Sequence, residues 1–324
     1  MESEPGPSAA PGGRRRLWRV IQVVFVLAVL AGIAVAIYRQ AGDIRTRLAE
    51  VDPRWAPIAL SGAIVLASYG VLIQTWRAVV GAWEARIGFW DAARIWSVSN
   101  LGRYVPGKLW QIGAMAAMAR ERGASPVASI GSALVVNIVN VITGGLVVLA
   151  TGARVLDVLH PGARQNAILL VALLGLSFLL LPVLLPPAVS LAARVARLDA
   201  PIPRIPGRTL WMAALGTGVA WVLYGLAFEQ LAAGVLGRAP GASAAYISVY
   251  TSSYLVGYLF LPAPAGVGVR EWALKAGFVA LGLGSDADAW VIAVASRLWL
   301  TVLEVLPGLL FIARDALRGR AQRH

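Results

Sequence analysis

Two short polar segments, broken by proline and glycine, interrupt an otherwise apolar chain. They read Asn100-Leu-Gly-Arg-Tyr-Val-Pro-Gly-Lys108 and Leu261-Pro-Ala-Pro-Ala-Gly-Val-Gly-Val-Arg-Glu271. A broken helix frees backbone N–H and C=O groups, and neither these nor a fixed charge can be left facing hydrocarbon. Such breaks persist only when buried in protein or lining a polar cavity. A pair of breaks in corresponding halves of a chain points to a transport site.

The surroundings of the breaks are those of a polytopic membrane protein. Of 324 residues, 58% are hydrophobic and 14% charged, and the mean hydropathy is +0.71. The net charge of +13 does not indicate nucleic acid, because the basic residues sit mostly in short loops between apolar runs, where they orient a chain in the bilayer. With no cysteine, neither disulfides nor thiolate metal sites can form. His160 and His324 are the only histidines, so no metal or other cofactor is expected.

About 20 apolar residues cross a bilayer. That rule places full spans at 17–38, 55–76, 127–150, 166–187, 209–235 and 289–313. Residues 1–13, rich in Pro, Gly, Ala and Ser, read as a disordered tail, and 316–324 as a basic tail. Arg14, Arg15, Arg16 and Arg19 precede the first apolar run, which is too long for a signal peptide and lacks a clear cleavage site.

Two regions remain, 89–119 and 243–284, each containing one break. The arm Leu109 to Ala119 is about 16 Å long as a helix, roughly half a bilayer, which suits a re-entrant hairpin. With both regions re-entrant, seventeen arginines fall in cytoplasmic segments and seven outside. That bias favours cytoplasmic N- and C-termini in the cell membrane. The expected fold is therefore an all-α polytopic membrane protein with six full spans and two re-entrant hairpins. It forms one transmembrane domain over 14–315, and repeat one (17–150) recurs inverted as repeat two (166–313). Inverted repeats of this kind underlie alternating access in many transporters. Eight ordinary helices with two proline kinks are the competing arrangement.

Arg103 and Lys108 flank the first break, and Arg270 and Glu271 close the second. Glycines that let backbone approach a ligand, with half-helix N-termini, suit an anionic headgroup. Alternatively, the basic residues snorkel to lipid phosphates. Arg297 and Glu304, seven residues apart, share one face of the last span. They line a polar cavity or form a structural ion pair, with Glu229 or Glu271 as the partner of Arg297. Asn137 and Asn140 share a face of another span. Tyr246, Tyr250, Tyr254 and Tyr258 recur every four residues, a packing stripe of which about two members, Tyr254 among them, face something polar. The candidate substrate-binding set is Arg103, Lys108, Asn137, Tyr254, Arg270, Glu271, Arg297 and Glu304. No phosphate-binding loop and no nucleophile–base pair occurs, so an enzyme is not expected.

The strings Gly102-Arg-Tyr-Val-Pro-Gly-Lys108, Ala119-Arg-Glu-Arg-Gly123, Pro264-Ala-Gly-Val-Gly-Val-Arg-Glu271 and Ser296-Arg297 resemble the membrane region of the lysylphosphatidylglycerol synthase/flippase family. The resemblance runs over about residues 15 to 315. Where the family has Pro-Gly-Gly, Ala265 replaces one glycine. The resemblance implies a stand-alone flippase-like membrane domain without the soluble synthase domain. It would move an anionic or aminoacylated phospholipid, or a lipid-linked glycan, between leaflets. The alternative is a lipid-binding scaffold that moves nothing and serves a lipid-modifying enzyme or glycosyltransferase.

The expected topology puts residues 120–126 in the cytoplasm. A single cysteine at Arg122, in a chain with no other, should resist an impermeant thiol reagent added outside intact cells and react only after permeabilisation. Labelling from outside would overturn the arrangement.

Overall fold

A computed structural model describes residues 52–83, 86–104, 109–152, 206–260, 266 and 268–321, with residue 46 and scattered positions between 169 and 187. Among these residues every regular element is helical, and no strand occurs. In chain order the helices are α1 (Trp55–Gly81), α2 (Phe89–Asn100), α3 (Leu109–Arg120) and α4 (Pro126–Thr151). They are followed by α5 (Gly207–Leu236), α6 (Ser243–Leu259), α7 (Val269–Ala280) and α8 (Asp286–Ala321). A 3-10 turn, Leu101–Tyr104, follows α2.

Helices α1, α4, α5 and α8 are long and apolar enough to cross a membrane. They stand where spans 55–76, 127–150, 209–235 and 289–313 were expected, so the chain is a multi-pass membrane protein. The expected span 17–38 and the tail 1–13 lie outside the described residues, as does most of 166–187. Helix α8 runs through residue 315, past the expected start of the C-terminal tail, to Ala321.

Local chemistry sets several helix ends. Ser125 caps α4, its Oγ accepting from the Ala128 N–H at 3.1 Å, with Pro126 in the first turn, where its missing N–H costs nothing. Helix α5 stops at Gly237, whose φ of 67° suits a residue without Cβ. The buried Glu229 carboxylate accepts from the N–H groups of Gly241 and Ala242 and from Ser243 Oγ at 2.6 Å, fastening the start of α6.

Small residues let the long helices approach closely. Helices α1 and α5 lie antiparallel, with Gly234 against Ile58 and the Arg54 carbonyl at one end and Gly216 against Thr75 at the other. Gly225 of α5 sits on the backbone of Ile247 in α6, and Gly144 of α4 on Trp221 and Leu255. Within hydrocarbon such packing, with hydrogen bonds like Thr143 to Thr217 (2.9 Å) and Trp76 Nε1 to Ser132 Oγ (3.1 Å), substitutes for the hydrophobic drive of a soluble core. Leu298, Val302, Leu306, Leu309 and Leu310 of α8 point outward, an apolar face for lipid.

The regions 89–119 and 243–284 each form two helices packed on one another around the break. Helices α2, α3 and α7, at twelve residues, are about 18 Å long, too short to cross a bilayer. The free end of the first hairpin is tied to the C-terminal part of α8 by Arg94 Nε and Asp315 Oδ2 at 2.6 Å. Its tip, at Leu101, rests on Gly308. The free end of the second hairpin is tied to the start of α8 by Lys275 and Asp286 at 2.6 Å, and its tip reaches Arg297 through Glu271. The two hairpins therefore approach the middle of α8 from opposite ends.

A methyl group at Gly225 would meet α6 backbone, whereas one at Gly218 meets nothing within 4 Å. Gly225→Ala should cost about 1–3 kcal/mol of stability and lower the melting temperature in detergent. Gly218→Ala should match or exceed the parent, since alanine favours a helix interior over glycine.

Candidate functional site

Between the hairpin tips lies a cavity. Asn100 and Gln111 enter from the first hairpin, Asn137 and Asn140 from α4, Tyr254 and Tyr258 from the second, and Glu304 from α8. Trp76, Trp96, Trp221 and Tyr224 supply aromatic walls.

In each hairpin a glycine in the first arm lets the second arm close onto it. A Cβ on Gly102 would lie 3.0 Å from the Gln111 N, and one on Gly257 would lie 2.8 Å from the Arg270 Cβ. Past the second break, Gly266 (φ 68°) abuts the Gly257 backbone and Gly268 (φ 88°) opens α7, two conformations that exclude a side chain.

Helix α7 begins by splitting two charges between two neighbours. Arg270, 7% exposed, turns to α6, its guanidinium 4.7 Å from the centre of the Tyr254 ring and 5.2 Å from that of Tyr250. Ring faces stabilise a desolvated cation without neutralising it, and the buried Arg270 Nη2 makes no hydrogen bond among the described residues. Glu271 turns the other way. Its Oε2 accepts from the Gly268 N–H at 2.6 Å, capping α7, and its Oε1 lies 3.7 Å from Arg297 Nε of α8.

The candidates named from sequence distribute as follows. Asn137, Tyr254 and Glu304 line the cavity, Asn137 accepting from Tyr258 Oη at 2.9 Å. Arg270 stands behind Tyr254, and Glu271 and Arg297 form the ion pair foreseen as their structural alternative. The other partner named for Arg297, Glu229, instead caps α6. Arg103 lies in the 3-10 turn, and Lys108 lies outside the described residues. Of the tyrosine stripe, Tyr254 and Tyr258 face the cavity, while Tyr246 and Tyr250 are buried. Gln111 was missed. It donates to Asn100 Oδ1 at 2.6 Å, and the signal that could have found it is a lone amide just after a break.

Over residues 19–308 the chain matches the family described as the lysylphosphatidylglycerol synthase TM region, and no curated protein matches it. The chain belongs to that family.

If Glu271 and Arg297 support the fold as a pair, removing either strands a partly buried charge. Arg297→Gln should lower stability by about 1–3 kcal/mol, and Glu271→Gln by more, because it also weakens the cap. Arg297→Gln combined with Glu271→Gln should be less destabilised than the sum of the two singles. Strict additivity in a thermal-melting cycle would show that the two do not interact.

Proposed function

We propose that this family member is a lipid translocase, passing a phospholipid or lipid-linked headgroup through the cavity while the tails stay in the bilayer. The observation that carries the reading is that helices flanking both breaks, with Asn100 and Gln111 beside the first and Tyr254 and Tyr258 ahead of the second, line one cavity. An enzyme or scaffold needs no such pair; a protein that opens one site to alternate sides does.

The packing scheme supports an inverted repeat. With α1 matched to α5, α2 to α6, α3 to α7 and α4 to α8, contacts come in matching pairs. The fit of Gly144 on Leu255, between α4 and α6, has its counterpart in Gly308 on Leu101, between α8 and α2. Gly102 against Gln111 answers to Gly257 against Arg270. The α1–α5 contact maps onto itself, Gly234 on Ile58 exchanging with Gly216 on Thr75 to within about one residue, as elements astride a two-fold axis must. The matching residues lie roughly 154 to 164 apart along the chain, as an inverted repeat requires. On this reading both hairpins are re-entrant, one from each face, and both termini are cytoplasmic in the cell membrane.

Arg270 is the phosphate contact in this account. Its planar fork stays charged when desolvated, and Nη2 has a hydrogen bond to give. Glu271 and Arg297 hold the tip in place, and Arg103 and Lys108 serve the headgroup at the first break. No residue is assigned a catalytic part.

A leaflet-resolved assay in proteoliposomes tests the reading. The wild-type chain should move acyl-labelled phospholipid between leaflets, and Arg270→Gln should lower the rate at least about tenfold, the loss of one charge-assisted hydrogen bond in the passage state. Arg208→Gln, at an exposed helix end, should not. A folded Arg270→Gln chain as fast as wild type would overturn the assignment. A wild-type chain that binds lipid and moves none would favour the scaffold.

A further inference from the structure

Matching the two repeats across the cavity pairs residues of different chemistry. Asn100 corresponds to Tyr254, Gln111 to Arg270 and Asn140 to Glu304. The first member of each pair is a neutral amide, and the second is charged or aromatic. The repeat-one bond between Gln111 and Asn100, 2.6 Å long, stands where repeat two has the guanidinium of Arg270 against Tyr254. The cavity is therefore one site with two unlike halves.

Charge and hydrogen-bonding capacity divide between those halves. Behind the cavity wall Arg297 pairs with Glu271 at 3.7 Å and Arg270 lies against Tyr254, while Glu304 is the charged residue on the described lining. Repeat one adds no charge from its amides. It adds donors and acceptors with capacity unspent: the Gln111 side-chain carbonyl, the Asn100 amide nitrogen and the Asn140 side-chain amide make no hydrogen bond among the described residues. Amides that offer both donor and acceptor match hydroxyl groups, which also do both. An ammonium could use only the carbonyls, and a bare phosphate only the N–H groups. The aromatic walls cover the less polar faces of such a headgroup.

We infer that the site selects a lipid whose headgroup ends in an uncharged, hydroxyl-rich group, and that Gln111, with Asn100 and Asn140, determines that specificity. This deepens the translocase reading and shares its site. The chemistry is common to a polyol-bearing phospholipid and to a glycosyl lipid without phosphate. Arg270 favours the first.

Four short-chain lipids test this on the full chain in detergent, by quenching of tryptophan emission: phosphatidylinositol, glucosyl diacylglycerol, phosphatidylethanolamine and phosphatidic acid. Acyl-labelled versions of the same lipids are then followed in proteoliposomes. Phosphatidylinositol should bind about tenfold more tightly than the ethanolamine lipid or phosphatidic acid, a difference of one or two hydrogen bonds. Gln111→Ala should weaken it about five- to tenfold and leave phosphatidic acid within about twofold. Because that change also breaks a bond inside the first hairpin, Asn140→Ala is the second variant and should shift the ranking in the same direction. Arg270→Gln should narrow the gap between the inositol and glucosyl lipids. Tighter binding of the ethanolamine lipid or of phosphatidic acid would overturn the inference. So would a preference for the inositol lipid that stays at about tenfold in either variant that melts like wild type. The expected ranking in binding, with no lipid moved, would uphold the inference and overturn the translocase reading; equal binding, with all four lipids moved, would do the reverse.

Discussion

Glu271 ties the structure together at its weakest point. A helix that starts inside a membrane protein exposes N–H groups with no intrahelical partner, and here the Gly268 N–H is met by the Glu271 carboxylate at 2.6 Å. The other oxygen of that carboxylate faces Arg297 of α8, so one side chain both finishes the broken helix and fastens the hairpin tip to the longest helix. With Glu271 so held, Arg270 beside it is directed to the opposite side, against Tyr250 and Tyr254. A tip free to move would not keep the guanidinium beside these two rings.

Among the described residues the tip of the first hairpin is held by uncharged groups, the contact of Leu101 with Gly308 and the amide pair Gln111 and Asn100. Arg94–Asp315 ties the free end of the first hairpin to the C-terminal part of α8, and Lys275–Asp286 ties that of the second to its start. In the proposed inverted repeat, rocking of one repeat against the other would expose one site to two sides.

Much of this was legible in the chain. The four long apolar runs predicted α1, α4, α5 and α8 because nothing but a helix satisfies its own backbone in hydrocarbon. The breaks predicted that 89–119 and 243–284 would each divide into two helices, because proline disrupts helical hydrogen bonding there. The partner of Arg297 was legible only as a choice between Glu229 and Glu271, since both carboxylates lie within the apolar part of the chain and only folding shows that Glu229 is spent on the start of α6. Gln111 was missed, although a lone amide just after a break was a signal for it. An amide in a helix is ordinary, and only folding shows this one facing Asn100.

The account turns on one claim: that the cavity opens in turn to each side of the membrane. Asn137, on its wall, is the position to probe. A chain carrying Asn137→Cys as its sole cysteine should be labelled by an impermeant thiol reagent from outside in one population and from inside in another. Addition to both sides should then exhaust every site. Labelling from one side alone, whatever the lipid present, would contradict alternating access and leave a lipid-binding protein that moves nothing.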